Sequence, residues 1–187
     1  DLGSQPFGGE GLSGTGPKAG GPLYLARFFA PEPVMPGTEW AKHADSRLLN
    51  RKGAPAKEVP VSEQIMPGPT GELNRLSILP RSSVLCLGPG AETVREQVAA
   101  VEALGGLALA VDGYLTPEAL AAIDGISAAI WWGDQDAGRA YMRALASRKG
   151  PIVPLITARP DLAHVAHERH LCVDTTAAGG NAALLAG

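Results

Sequence analysis

Val84-Leu-Cys-Leu87 is an apolar, strand-like run that ends in Gly88-Pro-Gly90, and a helical pattern opens immediately afterwards. A strand, a Gly-x-Gly turn and a helix N-terminus are the parts a dinucleotide pyrophosphate requires. The glycines let the backbone approach it, and the helix end supplies N–H groups. Asp112 follows the next apolar run, where a ribose-binding acid would stand. Three details oppose that chemistry. Pro89 removes one N–H from the cup, Glu92 brings negative charge to an anion site, and Thr93 stands where a third glycine belongs. The turn reads as structural, with a working dinucleotide site kept as the alternative.

Other reactive side chains form no better constellation. His164, His167 and His170 are spaced by three residues and would share roughly one face of a continuous helix. Glu168 and Cys172 are near in sequence, but a metal needs fixed geometry, and the segment breaks before Cys172. The exposed end of a short helix is the plainer reading. Trp131-Trp132 closes a strand with one ring expected on each side of a sheet, which suits packing. Ser13 lies in Leu12-Ser-Gly14, not in a nucleophile elbow after a strand. Cys86 and Cys172 sit in separate apolar runs and read as two buried, reduced thiols of a cytosolic protein, not as a disulfide framework. No nucleophile has a base within local reach, so the residues alone describe a non-catalytic α/β domain with a glycine-rich arm.

The composition agrees with a globular protein. Hydrophobic residues make up 45% and charged residues 19% of 187, with a formal net charge of −3. That balance gives no basic surface for nucleic acid. No stretch approaches the roughly 18 uninterrupted apolar residues of a membrane span. A chain that opens inside a glycine run, without an initiator Met or a signal segment, reads as a piece of a longer polypeptide.

Four zones must position these residues. Residues 1–28 hold the glycine run and then Leu23-Tyr-Leu-Ala-Arg-Phe28, a strand or a helical turn. Residues 29–76 form a proline-rich linker, with seven prolines between 29 and 72. A short helix is expected inside it, capped by Thr38 and ended by Gly53, with Trp40, Ala44 and Leu48 on one face. Residues 77–170 alternate strands and helices. The strands are Val84–Leu87, Leu107–Val111, Ile126–Trp132 and Ile152–Ile156. The intervening helices begin near Ala91, at Thr116-Pro117 and at Asp134 or Asp136, and a further helix covers Asp161–Arg169. Leu171–Asp174 is a fifth strand, and residues 171–187 are a docking strand and tail. Apolar strands alternating with helices predict a parallel sheet covered on both faces, a small Rossmann-like α/β domain.

The opening stretch, Gln5-Pro-Phe-Gly-Gly-Glu-Gly-Leu-Ser-Gly-Thr-Gly-Pro-Lys-Ala-Gly-Gly-Pro22, resembles the C-terminal signature of the aldehyde dehydrogenase superfamily, in the version of the proline utilization A family. Pro67-Gly-Pro-Thr-Gly-Glu72, Leu79-Pro-Arg-x-x-Val-Leu-Cys-Leu87 and Cys172-Val-Asp-Thr-Thr-Ala-Ala-Gly-Gly-Asn-Ala-Ala-Leu-Leu185 resemble later parts of the long forms, in the same order. The resemblance implies a bifunctional bacterial parent. An FAD-dependent proline dehydrogenase and an NAD-dependent glutamate-semialdehyde dehydrogenase would act in sequence, with the catalytic Cys and Glu upstream of this chain and no cofactor bound by the segment itself. Phe7 would line the aldehyde pocket, with Gly8 and Gly9 shaping its wall. The α/β domain would be a non-catalytic lid over the passage between the two sites. The implied partners are the upstream domains of the same polypeptide, the proline-derived substrates and further copies in a homo-oligomer. The implied location is cytoplasmic, with peripheral association of the parent with the inner membrane left open. Rival readings are a dinucleotide-binding domain and an oligomerisation element.

Overall fold

The computed structural model of the chain describes residues 6–44, 53–56 and 58–174. After the glycine loop, Pro22–Phe28 forms a 3-10 helix with proline at its first turn. An extended arm follows from Phe29 to Ala44. The first strands are β1 (Ser62–Met66) and β2 (Glu72–Pro80), joined through Pro67-Gly-Pro-Thr-Gly71, where Gly71 takes a left-handed φ of +87°. The α/β layers come next: β3 (Ser83–Cys86), α1 (Ala91–Ala103), β4 (Ala108–Ala110), α2 (Pro117–Ala122), β5 (Ile126–Ile130), α3 (Gln135–Ala146), β6 (Leu155–Ile156) and α4 (Leu162–Val165). The last described element, β7 (Ala166–Asp174), returns to pair with β2.

The four-stranded sheet is parallel, in the order β4-β3-β5-β6. This is the expected Rossmann-like α/β arrangement. Val84, Leu85, Cys86 and Leu87 are all but fully buried, as a strand covered on both faces must be. Each Leu, Ile or Val so buried contributes about 1.5–3 kcal/mol. Val94 and Val101 of α1 and Leu145 of α3 close the two sides of the sheet. Thr116 caps α2 by accepting from Ala119 N–H at 3.2 Å, and Asp134 caps α3 by accepting from Ala137 N–H at 2.8 Å.

The antiparallel sheet β1-β2-β7 corrects several expectations. β2 crosses the anticipated linker boundary at residue 76, so residues 62–76 are largely strand. Leu171–Asp174 belongs to β7 in this second sheet, not to the parallel one. The helix expected over Asp161–Arg169 stops at Val165. Beyond it, burial alternates, with Ala166 and Glu168 inside and Arg169 and Leu171 outside, which is the period of a strand.

The helix expected after Thr38 is absent up to Ala44; Leu48 lies outside the described residues. The arm's backbone bonds go to the domain instead. Gly37 N–H donates to Trp132 O at 3.0 Å, Tyr114 N–H to Lys42 O at 2.8 Å and Ala44 N–H to Tyr114 O at 2.8 Å. Trp40 and Ala44 still face the core, but from an extended chain.

Candidate functional site

In a doubly wound sheet ligands bind where the strand order reverses, beyond the C-terminal ends of the strands. Here that point lies between β3 and β5, and the chain's own arm crosses it. Trp40 Nε1 donates to Leu87 O at 3.0 Å, and Gly37 is bonded to Trp132 O. A Cβ at Gly37 would collide with Thr93 Oγ1 and Pro89 O, so the arm's backbone lies directly on the entrance to α1. The backbone groups of Gly88 in the cup are already engaged. Gly88 N–H donates to Gln97 Oε1 and Gly88 O accepts from Gln97 Nε2, both at 2.9 Å. Pro89 has no N–H. Asp112, the candidate ribose acid, pairs with Lys42 of the arm at 3.3 Å. These residues do not fit a dinucleotide. A recess of about 590 Å³ remains between the arm and the domain, walled by Trp40, His43, Tyr114 and Trp131.

The glycine loop lies at the opposite edge, below the N-terminal ends of the parallel strands. Phe7 and Ala19 exchange backbone bonds of 2.9 and 2.8 Å, Glu10 bridges Thr15, and Gly11 N–H donates to Gly14 O at 2.7 Å. The run is therefore an ordered hairpin, not a slack linker. Gly8 holds φ +137°, which a side chain would strain. Phe7, at the open end, is 86% exposed. A cleft of about 900 Å³ is lined by the loop together with Arg81, His164, His167 and Glu168.

The domain grips this loop with side chains. Arg81, between β2 and β3, is ion-paired with Glu10, and both side chains are largely buried. The same guanidinium donates from Nη2 to Thr15 O at 3.2 Å, and from Nε to Ala163 O and Ala166 O at 3.0 and 2.9 Å. Glu168 of β7 is 3% exposed and accepts from Leu23 N–H at 2.6 Å, anchoring the start of the 3-10 helix. Burial raises the Glu168 carboxyl above the usual range, against the lowering effect of that bond. Ile152 N–H donates to Gly11 O at 2.7 Å.

The remaining titratable groups do not assemble. His164 is the third residue of α4 and forms a capping box with Asp161, its Nδ1 lying 2.8 Å from the Asp161 carboxylate; this neighbour lowers the carboxyl's pKa. His167 and His170 belong to β7, so the three histidines share no helix face, which corrects that expectation. Burial lowers the His167 pKa. Among the described residues no three His, Cys, Asp or Glu side chains converge as metal ligands. Cys86 is buried as expected, with its thiol pushed up to about 12, but Cys172 is exposed. Trp131 and Trp132 are packing residues: Trp131 stacks edge-on against Tyr141 at 5.1 Å, and Trp132 Nε1 donates to Ala158 O at 3.0 Å. No described helix is long and apolar enough to cross a membrane.

Comparison with known proteins agrees with the sequence motifs. Bifunctional protein PutA of Salmonella typhimurium is 36% identical over 236 aligned residues, covering 98% of this chain and 18% of its own. The Escherichia coli protein of the same name is 35% identical over 237, with the same shares. The chain belongs to the PutA family, as a C-terminal part. It spans about a fifth of the length of these PutA relatives. No protein-family model matches it. Among solved structures, a crystal structure of bifunctional proline utilization A aligns with 51% of this chain and 13% of its own at 30% identity and a TM-score of 0.38. The PutA of Corynebacterium freiburgense aligns with 91% and 19% at 19% identity and a TM-score of 0.49.

Glu10, Arg81 and Glu168 are the site residues that sequence reasoning missed. Arg81 and Glu10 are far apart in the chain, and the pattern around Glu168 predicts a helix. The one local signal is a lone carboxylate, Glu10, inside an otherwise uncharged stretch from Gln5 to Pro17.

Proposed function

We propose that this chain is the C-terminal part of an enzyme that oxidises L-proline to L-glutamate. FAD would serve the first step and NAD the second, both bound upstream. In this reading Phe7, Gly8 and Gly9 form one wall of the aldehyde pocket. The observation that carries it is the ordered hairpin that fixes the backbone at Phe7 and Ala19 while leaving the Phe7 ring exposed. A flat apolar ring held ready for another module can pack on the aliphatic body of a semialdehyde without adding a competing polar group.

The α/β domain serves as a lid with no chemistry of its own, a role supported by a ligand crevice crossed by the chain's own arm. Its physical use is plain. The intermediate between the two steps is small, polar and diffusible, and a covered passage keeps its local concentration high. The test is made on the full-length enzyme with residues 171–187 deleted. NADH formation from proline is expected to show a lag that the intact enzyme lacks; the absence of a lag would sink the lid reading.

One observation favours an added role in assembly. Ile65, Leu73, Leu171 and Val173 lie on the same face of the antiparallel sheet, by register, and all are exposed. A second copy of the enzyme is the occupant proposed for this face. In the full-length protein, Ile65→Glu with Val173→Lys is expected to lower the sedimentation coefficient. An unchanged assembly would remove this role.

A further inference from the structure

Besides Arg27 of the 3-10 helix, which donates to Gly16 O, the side chains that hold the glycine loop come from the α/β domain, although the loop precedes that domain by the whole arm. Arg81 is the centre of the grip. Its guanidinium spans two bodies, with Nε on the carbonyls of Ala163 and Ala166 and Nη2 on Glu10 and Thr15. Glu10 and Thr15 are the bridged pair that closes the loop tip. Their separation determines how the chain runs back from Gly9 to Phe7 and forward from Gly16 to Ala19. Arg81 contributes little to the hydrophobic core. It anchors the hairpin to the junction of α4 and β7.

We infer that Arg81 is a positioning residue for aldehyde binding, acting through Glu10 and Thr15 on the placement of Phe7; this rests on the pocket-wall reading of Phe7 given above. The chemistry of the guanidinium supports the assignment. Its planar fork donates to several acceptors at once in fixed directions, which an ammonium group does not reproduce. Removing it strands the Glu10 carboxylate in a largely buried position, and a stranded charge is relieved by swinging out to water. Glu10 then loses its side-chain anchor and Thr15 O loses its Nη2 donor, so both sides of the backbone bridge between them, and the glycines on either side, are no longer held. The parallel sheet does not depend on the same contacts.

Phe7 would touch the body of the substrate and not its reacting carbon. Losing its placement therefore removes binding common to ground and transition states, which raises KM and leaves kcat in place. A merely destabilised enzyme would behave in the opposite way, with fewer active molecules and an unchanged KM.

The experiment uses the full-length, cofactor-loaded enzyme, with proline dehydrogenation as an internal control and glutamate semialdehyde as the varied substrate. Wild-type turnover of the semialdehyde is established first. Its absence would refute the proposed function and not this inference. Arg81→Met is expected to raise KM for the semialdehyde roughly tenfold, the scale of losing one apolar side-chain contact, with proline dehydrogenation unchanged. Arg81→Lys should restore part of the loss. Glu10→Gln leaves both Arg81 Nε bonds in place and should raise KM less; it also serves as the informative variant if Arg81→Met fails to fold. Amide exchange at residues 8–16 should quicken in step with KM. An unchanged KM in Arg81→Met, or in Glu10→Gln if only that variant folds, would overturn the inference, as would a fall in kcat alone.

Discussion

Cys86 and Cys172 show how one residue type takes two fates within a single chain. Cys86 lies in the middle of the parallel sheet, where burial pushes its thiol up to about 12, with Glu102 adding to the shift. Since the thiolate is the reactive form, Cys86 is inert in the folded protein. Cys172 stands exposed on β7. At pH 8 the native chain is expected to take up one equivalent of maleimide, at Cys172, with the second entering only on unfolding. Two equivalents in the native state would contradict the buried assignment. Glu168 carries a different signature. Its folded pKa is raised, so the protonated form is favoured by folding. The resulting stability is complete below its ordinary value of 4.5 and is lost as pH rises through the raised value. Glu168→Gln removes the charge that causes this loss. A melting temperature followed from pH 4.5 to 7 should fall less steeply for the variant than for the wild type; parallel curves would rule the effect out.

At the level of elements, legibility tracked whether the governing contacts were local. Thr116 and Asp134 act as helix caps because the bond each makes is three residues away, and such pairs are visible in the sequence. Asp134→Ala is expected to cost about 1 kcal/mol in urea unfolding. β7 was obscured because His164, His167 and His170 mimic helical spacing, while the alternation that makes 166–174 a strand is set by pairing with β2. The arm departs from its sequence pattern for the same reason. Thr38 and Trp40 suit a helix, yet backbone groups of Gly37, Lys42 and Ala44 find partners on Trp132 and Tyr114. Phe7, Gly8 and Gly9 enter the candidate site through motif resemblance alone, whereas Glu10 needs its distant partner Arg81 to acquire meaning. The arm's docking has its own test. Gly37→Val places a side chain against Thr93 and Pro89. It should lower stability by roughly 1–3 kcal/mol and shift tryptophan emission to the red as Trp40 leaves Leu87. Unchanged emission would mean that the arm does not depend on this approach.

Considered as a whole, the molecule is clasped at both ends of its parallel strands by the segment that precedes it. The glycine hairpin sits under the N-terminal ends, where Ile152 bonds to Gly11. The arm passes Arg159, which pairs with Glu32 at 3.1 Å, and then closes over the C-terminal ends. With the usual ligand crevice taken in this way, calorimetric titration of the whole chain with NAD is expected to show no saturable heat; clear saturation would restore the dinucleotide reading. The Arg81–Glu10 grip has a thermodynamic corollary. If the domain holds the hairpin in a binding-competent form, whatever binds the hairpin must hold the domain in return by the same free energy. In the full-length enzyme, an unreactive semialdehyde analogue should therefore slow amide exchange in β7 and α4, which it never touches, and Arg81→Met should abolish that protection. On the proposed reading, the clasp would make the α/β domain a reporter of what the hairpin binds.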